Sequence, residues 1–181
     1  MKTSKWIAPS LIVAVFVVGA CNTTPKTTPE RAEQTVAVNA AIAKFKSRDP
    51  GMAKWFDDAY GYAVLPAVGK GAAGVGGAFG RGQVFDNGAF IGYCKMTQAT
   101  LGLALGGQRY SEVVFFKDKD ALDRFTDGKL EFAAQASAIA VRAGASSDAA
   151  YSNGVAVFTM PIKGAMFEAA LGGQRFTFEQ G

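Results

Sequence analysis

Histidine is absent from this 181-residue chain. That omission excludes Ser-His-Asp and Cys-His nucleophile pairs, His-ligated zinc or haem, and an imidazole pH switch. Cysteine is scarce, with Cys21 and Cys94 alone. Charge is sparse too, at 19% of residues against an average near 25%, which excludes a disordered chain or a highly charged coiled coil. The apolar run from Trp6 to Val18 is about 13 residues, too short for a bilayer span of roughly 20. What the chain does have is 49% hydrophobic residues and 22 glycines.

Lys2 and Lys5 precede that apolar run, and no acidic residue occurs before Glu30. Residues 1–20 therefore read as a signal peptide, set aside from the fold. Val18-Gly19-Ala20-Cys21 resembles a bacterial lipobox, which makes Cys21 the expected site of lipidation by fatty acyl chains such as palmitate. Asn22 in place of aspartate favours the outer membrane in the sorting pattern this resembles. Several acyl chains on one cysteine hold a protein stably where one is marginal. Loss of Lys2 and Lys5 lowers the formal charge from +4 to +2 (4 − 2), too little for a nucleic-acid partner. With Cys21 acylated, Cys94 has no internal disulfide partner. Residues 21–28 read as the lipidated cysteine and a flexible tether, and 29–181 as one domain.

Thr28 as cap and Pro29 at the first position open a helix in which Val38, Ile42 and Phe45 fall at i, i+4 and i+7, ending near Arg48. Asp49-Pro50 opens a short second helix with Met52, Trp55 and Phe56. From Tyr60 the texture becomes large, small and glycine residues in alternation, predicting strands at Tyr60–Val64, Gly71–Phe85, Ala89–Lys95, Leu101–Leu105 and Arg109–Phe116. Asp86-Asn87-Gly88 marks a hairpin. Asp118 as cap, Ala121, Leu122 and Phe125 at helical spacing, and Gly128 as stop predict an inserted helix. Residues 129–143 mix helical and strand signals and are read as strand. Val155–Met160, Ala165–Leu171 and Arg175–Phe178 supply closing strands. The expected fold is α+β: a mainly antiparallel, strongly curved, glycine-rich sheet, sandwich or barrel-like, with an N-terminal helix and one inserted helix. Phe79, Phe85, Phe90 and Leu103 are candidates for its interior, which holds either packed side chains or an acyl chain.

Ala104-Leu105-Gly106-Gly107-Gln108-Arg109 recurs as Ala170-Leu171-Gly172-Gly173-Gln174-Arg175. The echo suggests either two equivalent turns presenting Arg109 and Arg175 to a ligand, or two equivalent strand junctions. Gly69 to Gly74 fits G-x-G-x-x-G. The glycines that follow, at about 1 kcal/mol each relative to alanine, oppose the helix a nucleotide site requires. The carboxylate pairs Asp57/Asp58 and Asp118/Asp120 are the remaining catalytic equipment, and capping and solubility account for them more simply. No catalytic residue, cofactor or metal is expected.

Ala59-Tyr60-Gly61-Tyr62-Ala63-Val64-Leu65-Pro66 followed by Gly69 to Gly80 resembles the opening motif of the SYLF domain. Asp120 to Phe125 and Tyr151-Ser152-Asn153-Gly154 are further matches. The resemblance spans about residues 30–181. It departs at Asn153, where family members carry a lysine after the serine. It implies a lipid-binding, non-enzymatic domain; eukaryotic relatives bind phosphoinositide membranes and some engage actin, a partner that an envelope lipoprotein facing the periplasm would not ordinarily meet.

Lys44, Lys46, Arg48, Lys54, Trp55 and Phe56 combine cations with aromatics, as interfacial membrane segments do, and Lys70 adds a cation in the glycine-rich stretch. The same cations also suit a helix C-terminus, and the same aromatics a core. The expected partner is a phospholipid membrane. The alternative is a structural or protein-interaction module of the cell envelope, with partners unknown.

Overall fold

The computed structural model describes residues 25–130, 132, 137–163, 169–170 and 172–181, with side chains described outside 72–75, 100–106 and 169–170. The signal peptide, Cys21 and Asn22 lie outside the described residues, as does the side chain of Leu103.

Helix α1 (Thr28–Arg48) begins with Thr27, not Thr28, as its N-cap. Thr27 and Glu30 form a reciprocal capping box, so the end of the expected tether is tied into the helix. Val38, Ala41 and Phe45 are its buried stripe, and Ile42 is half-buried. Helix α2 (Met52–Asp58) starts two residues later than expected, because Asp49 and Pro50 form the turn before it.

The expected strands between Tyr60 and Phe116 merge into two. Strand β1 (Gly61–Asp86) and strand β2 (Ala89–Phe116) pair antiparallel along nearly their whole length. Asn87 and Gly88 turn between them with φ of 46° and 78°, the left-handed pair a tight hairpin requires. Irregularities near Leu65/Val68 and Ala73/Val75 bend the ribbon.

Strand β2 is used twice. Its stretch Gly92–Gln98 pairs with β6 (Gln174–Gln180), and its stretch Arg109–Phe116 pairs with β4 (Val155–Lys163). The bent hairpin thus contributes to two layers that face each other. Leu65, Val68, Val84, Met96, Tyr110, Val114, Phe116 and Phe176 fill the space between them. Helix α3 (Lys119–Thr126), capped by Asp118 through Ala121 N at 2.9 Å, adds Ala121, Leu122 and Phe125 to this core. Gly128 follows it at φ 69°. Helices α1 and α2 cover the opposite face of the second layer, over Tyr62, Val64, Val113, Phe115 and Phe158.

Strand β3 (Ser137–Ala140) runs parallel to β4 and antiparallel to β5 (Ala169–Ala170), giving the order β1-β2-β4-β3-β5 with β6 on β2. Among the described residues of the segment 129–143, the strand occupies Ser137–Ala140. Of 165–171, positions 165–168 and 171 lie outside the described residues. The architecture is α+β, mainly antiparallel and strongly bent, with two helices, α1 and α2, before the sheet and one, α3, inserted in it. Phe79 and Phe90 correct the interior assignment, being 41% and 43% exposed.

Candidate functional site

The basic-aromatic segment of α1 and α2 turns its aromatics inward. Phe56 is buried edge-on against Tyr62 and Phe115. Trp55 stacks among Phe115, Tyr151 and Phe158, and its Nε1 donates to Ser146 O at 3.1 Å. Both rings therefore pack against the protein, Phe56 buried and Trp55 half-buried. The cause is tertiary: a seven-residue helix is held by what it packs on. Most of the cations are engaged as well. Lys46 lies 5.2 Å over the Phe56 ring and 3.9 Å from Asp57, Lys54 pairs with Asp58, and Arg48 Nε donates to Val141 O at 3.3 Å. Lys44 is exposed.

Strand pairing assembles a different constellation. Gly69 of β1 faces Arg109 of β2, which faces Lys163 of β4, and Lys70 faces Gln108. These residues, with Gly107, line an open depression of about 520 Å³. A Cβ built on Gly69 or Gly71 meets nothing within 4 Å, so bare backbone floors the depression between the cations. Lys70 and Arg109 are thereby brought together, and Lys163 is a member that sequence reasoning missed.

A second group lies farther along the ribbon. Arg81 faces Lys95, which faces Thr177; Phe79 faces Thr97, which faces Arg175. The Arg81 guanidinium sits 5.5 Å from the Phe79 ring centroid. Burial alternates so that Gly69, Gly71, Gly77, Phe79 and Arg81 on β1, and Thr97, Ala99, Gly107 and Arg109 on β2, are exposed. Gly69, Arg109 and Lys163 therefore lie on the outward side of the layer that β4 completes, and Phe79, Arg81, Lys95 and Arg175 on the outward side of the layer that β6 completes, which points away from the first. Glu179 of β6 is a carboxylate on the latter side among the described residues.

Arg109 and Arg175 do not form a symmetric pair. Gly107 to Arg109 lie within β2, whereas Gly172-Gly173 is a turn, with Gly173 at φ 79°, that leads into β6. The sequence echo is therefore not a structural repeat. Gly69 to Gly74 lie inside β1, away from any helix start. Asp57, Asp58 and Asp120 are in ion pairs and Asp118 is a cap. Asn153 and Gly154, where the family's lysine is replaced, form a left-handed turn (φ 51° and 77°) whose Asn153 O accepts from Arg124 Nη2 at 2.7 Å.

Residues 97–181 match the family model described as Las17-binding protein actin regulator (Ysc84). Beta cell expansion factor A of Aeromonas veronii is 30% identical over 163 residues, covering 86% of this chain. The chain spans about 60% of that relative's length. Residues 97–181 are thus similar to the SYLF (Ysc84) family, a family of binding domains.

Proposed function

We propose that this chain is a non-enzymatic, lipid-anchored envelope protein whose SYLF-like domain contacts anionic phospholipid through the outward side of the layer that β6 completes. The observation that carries the reading is the cluster that sets Arg81 opposite Lys95, with Arg175 and the 41%-exposed Phe79 flanking Thr97 beside them, on that outward side. Cations would meet lipid phosphate while the Phe79 ring enters the acyl boundary, a division of labour that interfacial segments share. The likeness of residues 97–181 to that family supports a lipid-binding or interaction module. The anchor at Cys21, an outer-membrane location and a periplasm-facing domain are parts of the same proposal. Actin, named in the family's description, is not a proposed partner, because an envelope lipoprotein would not ordinarily meet it.

The test is sedimentation of a soluble Cys21→Ser domain with vesicles. Binding to anionic vesicles at low salt that weakens with added salt and is absent on neutral vesicles is expected. No sedimentation at low salt overturns lipid contact by the domain. Crosslinking in cells to a reproducible protein, with no phospholipid in native mass spectra, would favour the envelope-interaction alternative.

A further inference from the structure

Between the two layers, where apolar side chains predominate, the structure places a carboxylate. Glu112 of β2 is fully buried. Its register partners are Leu65 on β1 and Thr159 on β4. From the other layer, Gln174 at the start of β6 donates Nε2 to Glu112 Oε2 at 3.1 Å, across 62 residues of sequence. The Gln174 side chain also reaches Tyr110. Three oxygens in this neighbourhood are buried without a protein hydrogen-bond partner: Glu112 Oε1, Gln174 Oε1 and Thr159 Oγ1.

Charge state decides whether that arrangement is satisfied. An ionised carboxylate only accepts, so Oε1 has nothing to offer an orphaned acceptor such as Gln174 Oε1. A neutral acid keeps the bond from Gln174 and gains one O–H donor for the orphaned Gln174 Oε1. Among the described residues, the titratable groups facing Glu112 are Cys94 and Tyr110 of β2; β1, β4 and β6 present Leu65, Thr159 and Gln174. Burial pushes Cys94 and Tyr110 upward, so both stay neutral across the physiological range and neither compensates a carboxylate.

We propose that Glu112 and Gln174 form a proton-dependent clasp, which holds β6 and its layer against the β4 layer while Glu112 is neutral and loosens when it ionises, because the charge is then buried away from water and Gln174 Oε1 loses its donor, although the Gln174 N–H bond itself strengthens. The clasp acts on β6 because that strand pairs with β2 alone and Gln174 is its first residue. Burial, opposed by the Gln174 bond, raises the Glu112 carboxyl to about 7, which puts the loosening near neutrality.

Hydrogen exchange of the residue 174–180 amides, corrected for intrinsic exchange, tests this between pH 5.5 and pH 8.5. Protection in the unmodified domain is expected to fall about tenfold or more over that range. In Glu112→Gln, whose amide imitates the neutral acid, it is expected to stay level. PH-independent protection in the unmodified domain, or an unchanged slope in Glu112→Gln, overturns the clasp. Should Glu112→Gln fail to fold, the unmodified domain labelled with 13C-glutamate decides: one carboxyl resonance titrating near neutrality supports the clasp, and all of them titrating in the ordinary carboxylate range overturn it.

Discussion

A Cβ placed on Gly82 would lie 2.2 Å from the carbonyl oxygen of Val64. Both residues belong to β1, so the contact records one strand folded back across itself, and the obstacle is backbone that cannot rotate away. Gly82→Ala is therefore expected to destabilise the domain by about 2 kcal/mol or more in urea unfolding. Gly69→Ala, with open space around its Cβ, is expected to change stability by no more than about 0.5 kcal/mol. Equal effects at the two positions would refute the folded-ribbon packing.

Stability should fall toward both ends of the pH scale, for opposite reasons. Asp49, between α1 and α2, accepts from Ser146 N at 2.7 Å and Gly51 N at 3.2 Å. Burial works to raise its pKa, but the bonds from Ser146 and Gly51 outweigh it and hold the carboxyl below its ordinary value. A lowered pKa contributes stability above the unfolded value, near 4, and that contribution is lost as the pH falls. Glu112 has the reverse sign. Its carboxyl is raised from 4.5 to about 7, so its contribution is complete below pH 4.5 and drains away up to about pH 7. The gap of 2.5 (7 − 4.5) corresponds to about 3 kcal/mol. Urea midpoints from pH 3 to pH 8.5 should show both limbs, with Asp49→Asn flattening the acid one and Glu112→Gln the upper one. An upper limb that survives Glu112→Gln belongs to another group.

What the sequence made legible was local chemistry. Asn87-Gly88 had to turn because its dihedrals demand those residues, and Asp118 and Gly128 bracket α3 for equally local reasons. The union of the expected strands into β1 and β2 was hidden, since glycine breaks the side-chain alternation that reveals a continuous strand. Trp55 and Phe56 read as interfacial because their partners, Phe115 and Phe158, lie far along the chain. Lys163 meets Arg109 only through the pairing of β2 with β4. Glu112 did leave a signal: a carboxylate between Tyr110 and Val114, at a position whose neighbours in alternation both face inward.

The inward packing of Trp55 has an optical consequence. In a domain made without residues 1–20, and so without Trp6, Trp55 is the remaining tryptophan. Since its ring is held by Phe115, Tyr151 and Phe158 and its Nε1 by Ser146, emission from the soluble Cys21→Ser domain should not move when anionic vesicles are added. Brominated lipid should quench it weakly. A blue shift with strong quenching would mean that α2 enters the bilayer, returning the contact to the basic-aromatic segment.

Charge removal separates the two candidate faces. A cation near an anionic surface contributes about 1 kcal/mol, so a double substitution should cost about 2 kcal/mol, or about 30-fold in vesicle partitioning at low salt. That loss is expected for Arg81→Ala with Arg175→Ala, which lie beside Phe79, and not for Arg109→Ala with Lys163→Ala, which lie on the outward side of the opposing layer. Lys44→Ala with Lys54→Ala should leave partitioning within about threefold, since Lys54 is already paired with Asp58. Raising the salt to about 0.5 M should erase the difference among all three, because screening then acts within a few ångströms. If the Lys44 and Lys54 pair proves the costly one, the membrane face is the helical one and the ribbon's cations serve another ligand.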